Sequence, residues 1–152
     1  MSSTPMVKIE RAGEMFTLFA SAARATAVAN SAGTAVQFNG ERQKFALLLD
    51  HTASGAVAGD TLDVYVDFSF DNVTWFNAVH FTQLAGDAAA NKEFAFLDSA
   101  NPGTATISVT SNANSGAVRP AIFGAYIRGR YTLVDAGAHG QTMTFSLTGY
   151  AL

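Results

Sequence analysis

The sequence predicts an all-β fold: an antiparallel two-sheet sandwich, jelly-roll-like or immunoglobulin-like, with an extended N-terminal arm. Three observations predict it. Apolar and polar residues alternate along at least four stretches, and strand side chains repeat every two residues. Turn-forming clusters punctuate the chain at short intervals, among them Asn30-Ser31-Ala32-Gly33, Asp71-Asn72, Asn101-Pro102-Gly103 and Ala136-Gly137. Only 20–29 is rich enough in alanine to suit a helix, and Thr26 and Val28 weaken even that stretch. At 152 residues the chain fits one domain. The expected division is an arm over residues 1–13, which lack any sustained period, and a single β-sandwich domain over 14–152.

The clearest strand runs from Asp60 to Phe70. Leu62, Val64, Val66, Phe68 and Phe70 fall on one face; Asp63, Tyr65, Asp67 and Ser69 fall on the other. Trp75 to Thr82 follows a short Asp71–Thr74 link, and two strands so joined pair as an antiparallel hairpin. There strict alternation groups Trp75, Asn77, Val79 and Phe81 against Phe76, Ala78, His80 and Thr82. A second hairpin is expected at the end of the chain. Tyr126 to Leu133 sets Ile127, Tyr131 and Leu133 opposite Arg128 and Arg130, and after a turn at Asp135–Gly140, Gln141 to Thr148 points Met143, Phe145 and Leu147 inward. Its outward Thr142, Thr144, Ser146 and Thr148 suit a pleated surface without adding charge. Further strands are expected at Met15–Ala20, Phe45–His51, Glu93–Leu97 and Thr104–Thr110, about eight or nine in all.

Composition narrows the function. Nine Lys and Arg stand against twelve Asp and Glu, a net charge of -3, so the surface repels phosphates and no nucleic-acid partner is expected. Only 14% of residues are charged, against roughly 25% in ordinary soluble domains, while 49% are apolar with 12 Phe. This shortage of charge predicts that other subunits cover part of the surface. The absence of cysteine excludes disulfides and thiolate metal sites and suits assembly in a reducing compartment. No apolar run approaches the ~20 residues that span a bilayer, and Met1–Pro5 carries neither a basic nor an apolar leader region, so neither a membrane partner nor secretion is expected.

Catalysis needs titratable groups brought together, and the sequence offers no such set. His51, His80 and His139 lie in different segments without metal-ligand spacing. Asp63 and Asp67 share a strand face four residues apart, ~13 Å at ~3.3 Å per residue. That is too far to share a calcium ion or to act as a glycosidase pair. With Asp60 and Asp71 they are expected to be solvated or subunit-facing charges. No Gly-rich phosphate loop or nucleophile elbow is present. The expectation is therefore no catalytic residue, no cofactor, no metal, and no enzyme. Ser69–Trp75 resembles the Asp-box turn of sialidases and propellers, one residue short and without its Gly. The resemblance implies folding roles for Asp71 and Trp75.

The hairpin beginning Thr61-Leu62-Asp63-Val64-Tyr65-Val66-Asp67 and running through Asp71-Asn72-Val73-Thr74-Trp75 to Phe81-Thr82-Gln83 resembles a pattern in small virion proteins of tailed bacteriophages. There it reads Thr-Leu-Asp-Val-x-Val-Gln-x-Ser-x-Asp-Gly-x-x-Trp-x-Asp-x-x-x-Phe-Thr-Gln. This chain has Asp67, Asn72 and Asn77 where Gln, Gly and Asp are usual. Tyr126–Leu133 with Met143–Gly149 is similar to the paired final strands of the same proteins. The likeness spans residues 60–83 and 119–149 and is to head decoration (auxiliary capsid) proteins. It implies a homotrimer on the outer capsid surface of the virion, assembled in the host cytoplasm, with the major capsid protein as partner. An ordered-on-docking arm would then stitch subunits together. The alternatives are a phage tail or baseplate module, and a carbohydrate-binding sandwich using Trp75, Tyr65 or Tyr126 as stacking platforms.

Overall fold

The computed structural model describes residues 13–25, 28–38, 44–55, 57–100, 112–120, 122–137 and 142–152, and among these the alternation becomes eleven strands in two antiparallel sheets. They are β1 (Glu14–Ala25), β2 (Val28–Ala32), β3 (Val36–Gln37), β4 (Lys44–Ser54), β5 (Thr61–Ser69), β6 (Trp75–His80), β7 (Leu84–Ala85), β8 (Asn91–Asp98), β9 (Ala117–Val118), β10 (Tyr126–Val134) and β11 (Thr142–Ala151). The expected strand at Thr104–Thr110, arm residues 1–12 and His139 lie outside the described residues. No helix occurs among those described.

One sheet runs β1-β11-β4-β8 and the other β2-β10-β5-β6-β9, with β3 beside β10 and β7 beside β5. Setting aside the two-residue strands, β1 pairs with β11, β2 with β10, β4 with β8 and β5 with β6. First pairs with last, second with second-last, and so inward: one long hairpin wound around a common core, which is the jelly-roll arrangement of a β-sandwich. Of the two arrangements the sequence allowed, this is the one adopted.

The expected hairpin between the last two strands does not form. β10 pairs with β5, β2 and β3 in one sheet, while β11 lies between β1 and β4 in the other. Both strands bury the residues the pattern assigned inward: Ile127, Tyr131 and Leu133 from one side, Met143, Phe145 and Leu147 from the other. Face alternation is the same whether two strands lie side by side or across a core, so it could not separate these cases. Asp60 helps hold the crossover. Fully buried, its carboxylate accepts hydrogen bonds from the Ala136 N–H at 2.9 Å and the Val57 N–H at 3.2 Å.

In the alanine-rich stretch at 20–29 the described residues, 20–25 and 28–29, are strand rather than helix. β1 continues to Ala25, bulged around Phe19, because pairing with β11 satisfies its backbone groups. Phe16 and Phe19 cross closely over neighbouring strands, and glycine makes the room: a Cβ on Gly149 would run into the Phe16 ring, and one on Gly129 would come within 2.6 Å of Phe19. Two aromatic groups fill the interior. Phe45 touches Phe38, Phe68 and Phe123 at 5.1–5.3 Å, with Phe16 at 6.4 Å. Phe19, Tyr131 and Phe145 form the second, edge to face at 5.5–5.9 Å. The Arg24 guanidinium sits 4.2 Å over Phe145 and donates to the Ala20, Ala22 and Phe145 carbonyls. Burial lowers the Arg24 pKa from its ordinary value.

His51 breaks the rule that buried polar atoms find partners. It ends the inward row Phe45, Leu47, Leu49 on β4, is 1% exposed, and neither ring nitrogen is hydrogen-bonded. His51→Leu keeps a similar volume and removes two unpaired polar atoms. It is expected to raise stability by ~1–2 kcal/mol. An unchanged or lower urea midpoint for this variant would show that the ring is satisfied by something else, such as buried water.

Candidate functional site

β5 pairs with β6 through a register shift, and this small irregularity arranges the polar face above them. Ser69 pairs with Trp75, Phe68 with Phe76 and Asp67 with Asn77, but Val66 then pairs with Val79 and Tyr65 with His80. Ala78 is the extra residue of a β-bulge, and a bulge reverses the side on which later side chains fall. Val79 and Phe81 therefore enter the core, while Trp75, Asn77 and His80 share the outer face with Asp67 and Tyr65. Strict alternation instead predicts both Trp75 and Asn77 on the face of Val79 and Phe81. Asn77 repairs the backbone at the bulge, its amide donating to the Val66 and Val79 carbonyls at 3.3 and 3.1 Å and to Asp67 Oδ1 at 3.0 Å. The strand also ends one residue sooner than its pattern: Phe70 is 70% exposed and packs on Phe76.

The Asp residues of β5 are not solvated charges. Asp67, 2% exposed, receives a two-toothed contact from Arg130, Nε to Oδ2 at 2.9 Å and Nη2 to Oδ1 at 3.2 Å, with Arg128 Nε at 3.4 Å. Arg130 also donates to the Asn30 and Asn112 side-chain oxygens at 2.9 and 2.8 Å and covers the Tyr65 ring at 4.1 Å. Asp63 faces His80 Nε2 at 2.7 Å and accepts from the Gln83 amide at 2.8 Å. His80 Nδ1 lies 2.9 Å from the Ala113 carbonyl, and its ring lies against Tyr65 at 4.3 Å. Burial, and then the Asp63 carboxylate, raise the Tyr65 pKa. Residues 112–115 close over this seam: the Ala113 N–H donates to Asn77 Oδ1 at 2.8 Å, and Ser115 Oγ accepts from the Gln83 N–H at 2.8 Å. His80 is thus part of a buried pair rather than an ordinary polar-face residue.

This arrangement binds the molecule to itself. Both His80 nitrogens face oxygen partners, so the Asp63–His80 pair has no free nitrogen to take a proton from a nucleophile. Both Asp67 oxygens are engaged. Among the described residues no three His, Asp or Glu side chains gather in metal-binding geometry. One face of Trp75 is occupied by the Arg128 guanidinium at 4.2 Å, and Tyr65 is buried between Arg130 and His80, so neither ring is a bare stacking platform. Tyr126 is partly buried where β10 meets Ser69 and Gln37.

The Asp71 turn has the folding role its motif implies. Asp71 Oδ1 accepts from the Thr74 N–H at 2.7 Å, the Val73 N–H at 2.9 Å and Ser69 Oγ at 3.0 Å; Thr74 Oγ1 donates to Oδ2 at 3.2 Å. These bonds, Thr74's first, bring the Asp71 pKa down to about 2, and Asn72 takes the left-handed backbone with φ 61°. A depressed carboxyl stabilises the folded turn above its unfolded pKa, ~3.9, and that contribution fades as pH falls toward about 2. Protection of the Val73 and Thr74 amides, taken relative to their intrinsic exchange rates, should fall over that interval, and Asp71→Ala should show the lower protection throughout the range above it.

The outer face of the four-stranded sheet has the opposite character. Across the strands, Met15, Tyr150, Ala46 and Phe96 form one row, and Thr17, Thr148, Leu48 and Phe94 the next. Met15 is 77%, Phe94 64% and Phe96 47% exposed. A separate apolar point lies at the β5–β6 tip, where Phe70 and Val73 are exposed. A shallow hollow lined by Phe96, Asp98, Val118 and Pro120 adjoins the edge of β8. The composition signalled such surfaces through its shortage of charge, but not their positions. Comparison with family models, with curated proteins and with solved structures finds no match for this chain.

Proposed function

We propose that this chain is a structural virion protein of the head-decoration kind, binding the outside of an expanded phage capsid and stabilising it through subunit contacts, without catalysis. One observation carries the reading: polar side chains are sealed into an internal network while large apolar side chains stand exposed on a sheet face and, separately, on a hairpin tip. A part in a lattice needs distinct contacts to its own kind and to the shell beneath, and exposed apolar surface with little charge is the chemistry such contacts use. The partner in this reading is the major capsid protein, met at Phe70 and Val73. A protein that binds only the expanded lattice stabilises it by mass action.

The test is sedimentation of purified, labelled protein with expanded and with immature heads. Binding to expanded heads only, weakened by Phe70→Ser/Val73→Ser, is the expected result. Equal binding to both forms, or to neither, overturns the clamp. Label found at a single vertex or along the tail transfers the protein to the tail or baseplate.

A further inference from the structure

We propose that the outer face of the four-stranded sheet is covered by a second copy of this chain, packed face to face about a two-fold axis that runs across the strands. The β4–β8 pair carries a self-complementary pattern. Its outward rows are, in order, Lys44 with Asp98, Ala46 with Phe96, Leu48 with Phe94, and Asp50 with Lys92. The apolar rows lie in the middle and an ion pair closes each end: Lys44–Asp98 at 3.7 Å and Lys92–Asp50 at 3.3 Å. The signs are reversed between the ends. At one end β4 carries the cation and β8 the anion; at the other, the anion is on β4 and the cation on β8.

That reversal makes the face complementary to itself. A two-fold axis between the two apolar rows lays β4 antiparallel over the β4 of the second copy. Lys44 then stands opposite the second copy's Asp50, and Asp98 opposite its Lys92. In the centre Phe94 meets Phe96 and Leu48 meets Ala46, at the ~10 Å separation usual for stacked sheets. Each outer corner gains a charge partner across the interface while keeping the one it has. The two ion pairs cancel, so the face has no net charge with which to select a strongly acidic or basic partner, whereas a copy of itself matches at all four corners. Four strands ~4.8 Å apart and ~8–10 residues long present on the order of 500 Å² in projection. With Met15 and Tyr150 standing out of it, the face approaches the ~800 Å² per partner of a standard interface. Such an interface is isologous and closes at two copies. A three-fold ring would instead join two different surfaces of each copy. The pairing stands independently of the capsid reading.

The absence of cysteine allows a direct test. Light scattering at tens of micromolar should give a two-chain mass for the unmodified protein, and Phe94→Asp/Phe96→Asp should weaken association at least tenfold. In parallel, Ala46→Cys and Leu48→Cys chains are treated with a short thiol-specific cross-linker, separately and mixed. The axis places residue 46 of one copy over residue 48 of the other, so mixed chains should link to each other faster than either chain links to itself. A single-chain mass, a three-chain mass, or a two-chain mass indifferent to Phe94→Asp/Phe96→Asp overturns the proposal, as does cross-linking no faster in the mixture. A single-chain protein that still binds expanded heads would remove the pairing and leave the capsid reading standing; a two-chain protein that binds no head would do the reverse.

Discussion

Arg130→Ala is expected to destabilise the fold by ~3 kcal/mol or more, because it leaves the Asp67 carboxylate buried without its main counter-charge. The loss has several parts. Two hydrogen bonds to Asp67 disappear, as do those to Asn30 and Asn112 and the cation over Tyr65. Arg128 remains at 3.4 Å and Asn77 at 3.0 Å, which holds the effect below that of a fully abandoned charge. Arg130→Lys should recover only part of the loss, since an ammonium cannot reproduce the two-toothed contact. Removing both charges together, as Asp67→Leu/Arg130→Met, should cost far less than Arg130→Ala alone, because desolvated ion pairs are often replaceable by apolar side chains of similar volume. Urea unfolding of the three variants decides the matter. A loss below ~1 kcal/mol for Arg130→Ala would mean that water or Arg128 already neutralises Asp67.

Phe45→Ala should cost ~3–5 kcal/mol, the range for truncating a buried phenyl ring. Phe45 is 1% exposed, and its ring joins side chains from both sheets: Phe16 from β1, Phe68 from β5, with Phe38 and Phe123 from the connecting segments. The cavity would therefore open where the two layers meet, leaving the neighbouring rings little to collapse onto. At ~2–4 °C per kcal/mol for a chain of this size, the melting temperature should fall by on the order of 10 °C. Phe45→Leu, which refills most of the space, should lose about half as much or less. Equal losses for both variants would show that the site repacks freely and that aromatic contact contributes little.

The seam on β5 shows how far the sequence could be read. Asp63, Asp67 and His80 were visible as residues on strands, with ~13 Å between the backbones of the two Asp residues, and the two carboxylates take different partners. Their burial was not visible. Asp67 depends on Arg130, 63 residues away, and Asp63 on His80, brought to the right face by the bulge at Ala78. A bulge inserts one residue without marking itself in the alternation, so every face assignment beyond it reverses. The Asp71 turn was legible because all its partners lie within three residues. The outer sheet face was legible only as a shortage of charge: Phe94 and Phe96 look like core residues until their neighbours are known.

By itself, the sequence determined that this protein is a layered β-structure, where most strands lie and which side chains of β5, β10 and β11 turn inward, since two-residue periodicity is a local property of the backbone. Tertiary structure alone decided which sheet each strand joins, sending β10 and β11 to opposite layers, and placed an alanine-rich segment in a strand. It also decided which charges are sealed and which apolar groups face outward. The physical reason is that alternation records only that a side chain faces a dry interior. It does not record whose backbone satisfies its hydrogen bonds or what covers the opposite face; those depend on segments brought together from far along the chain.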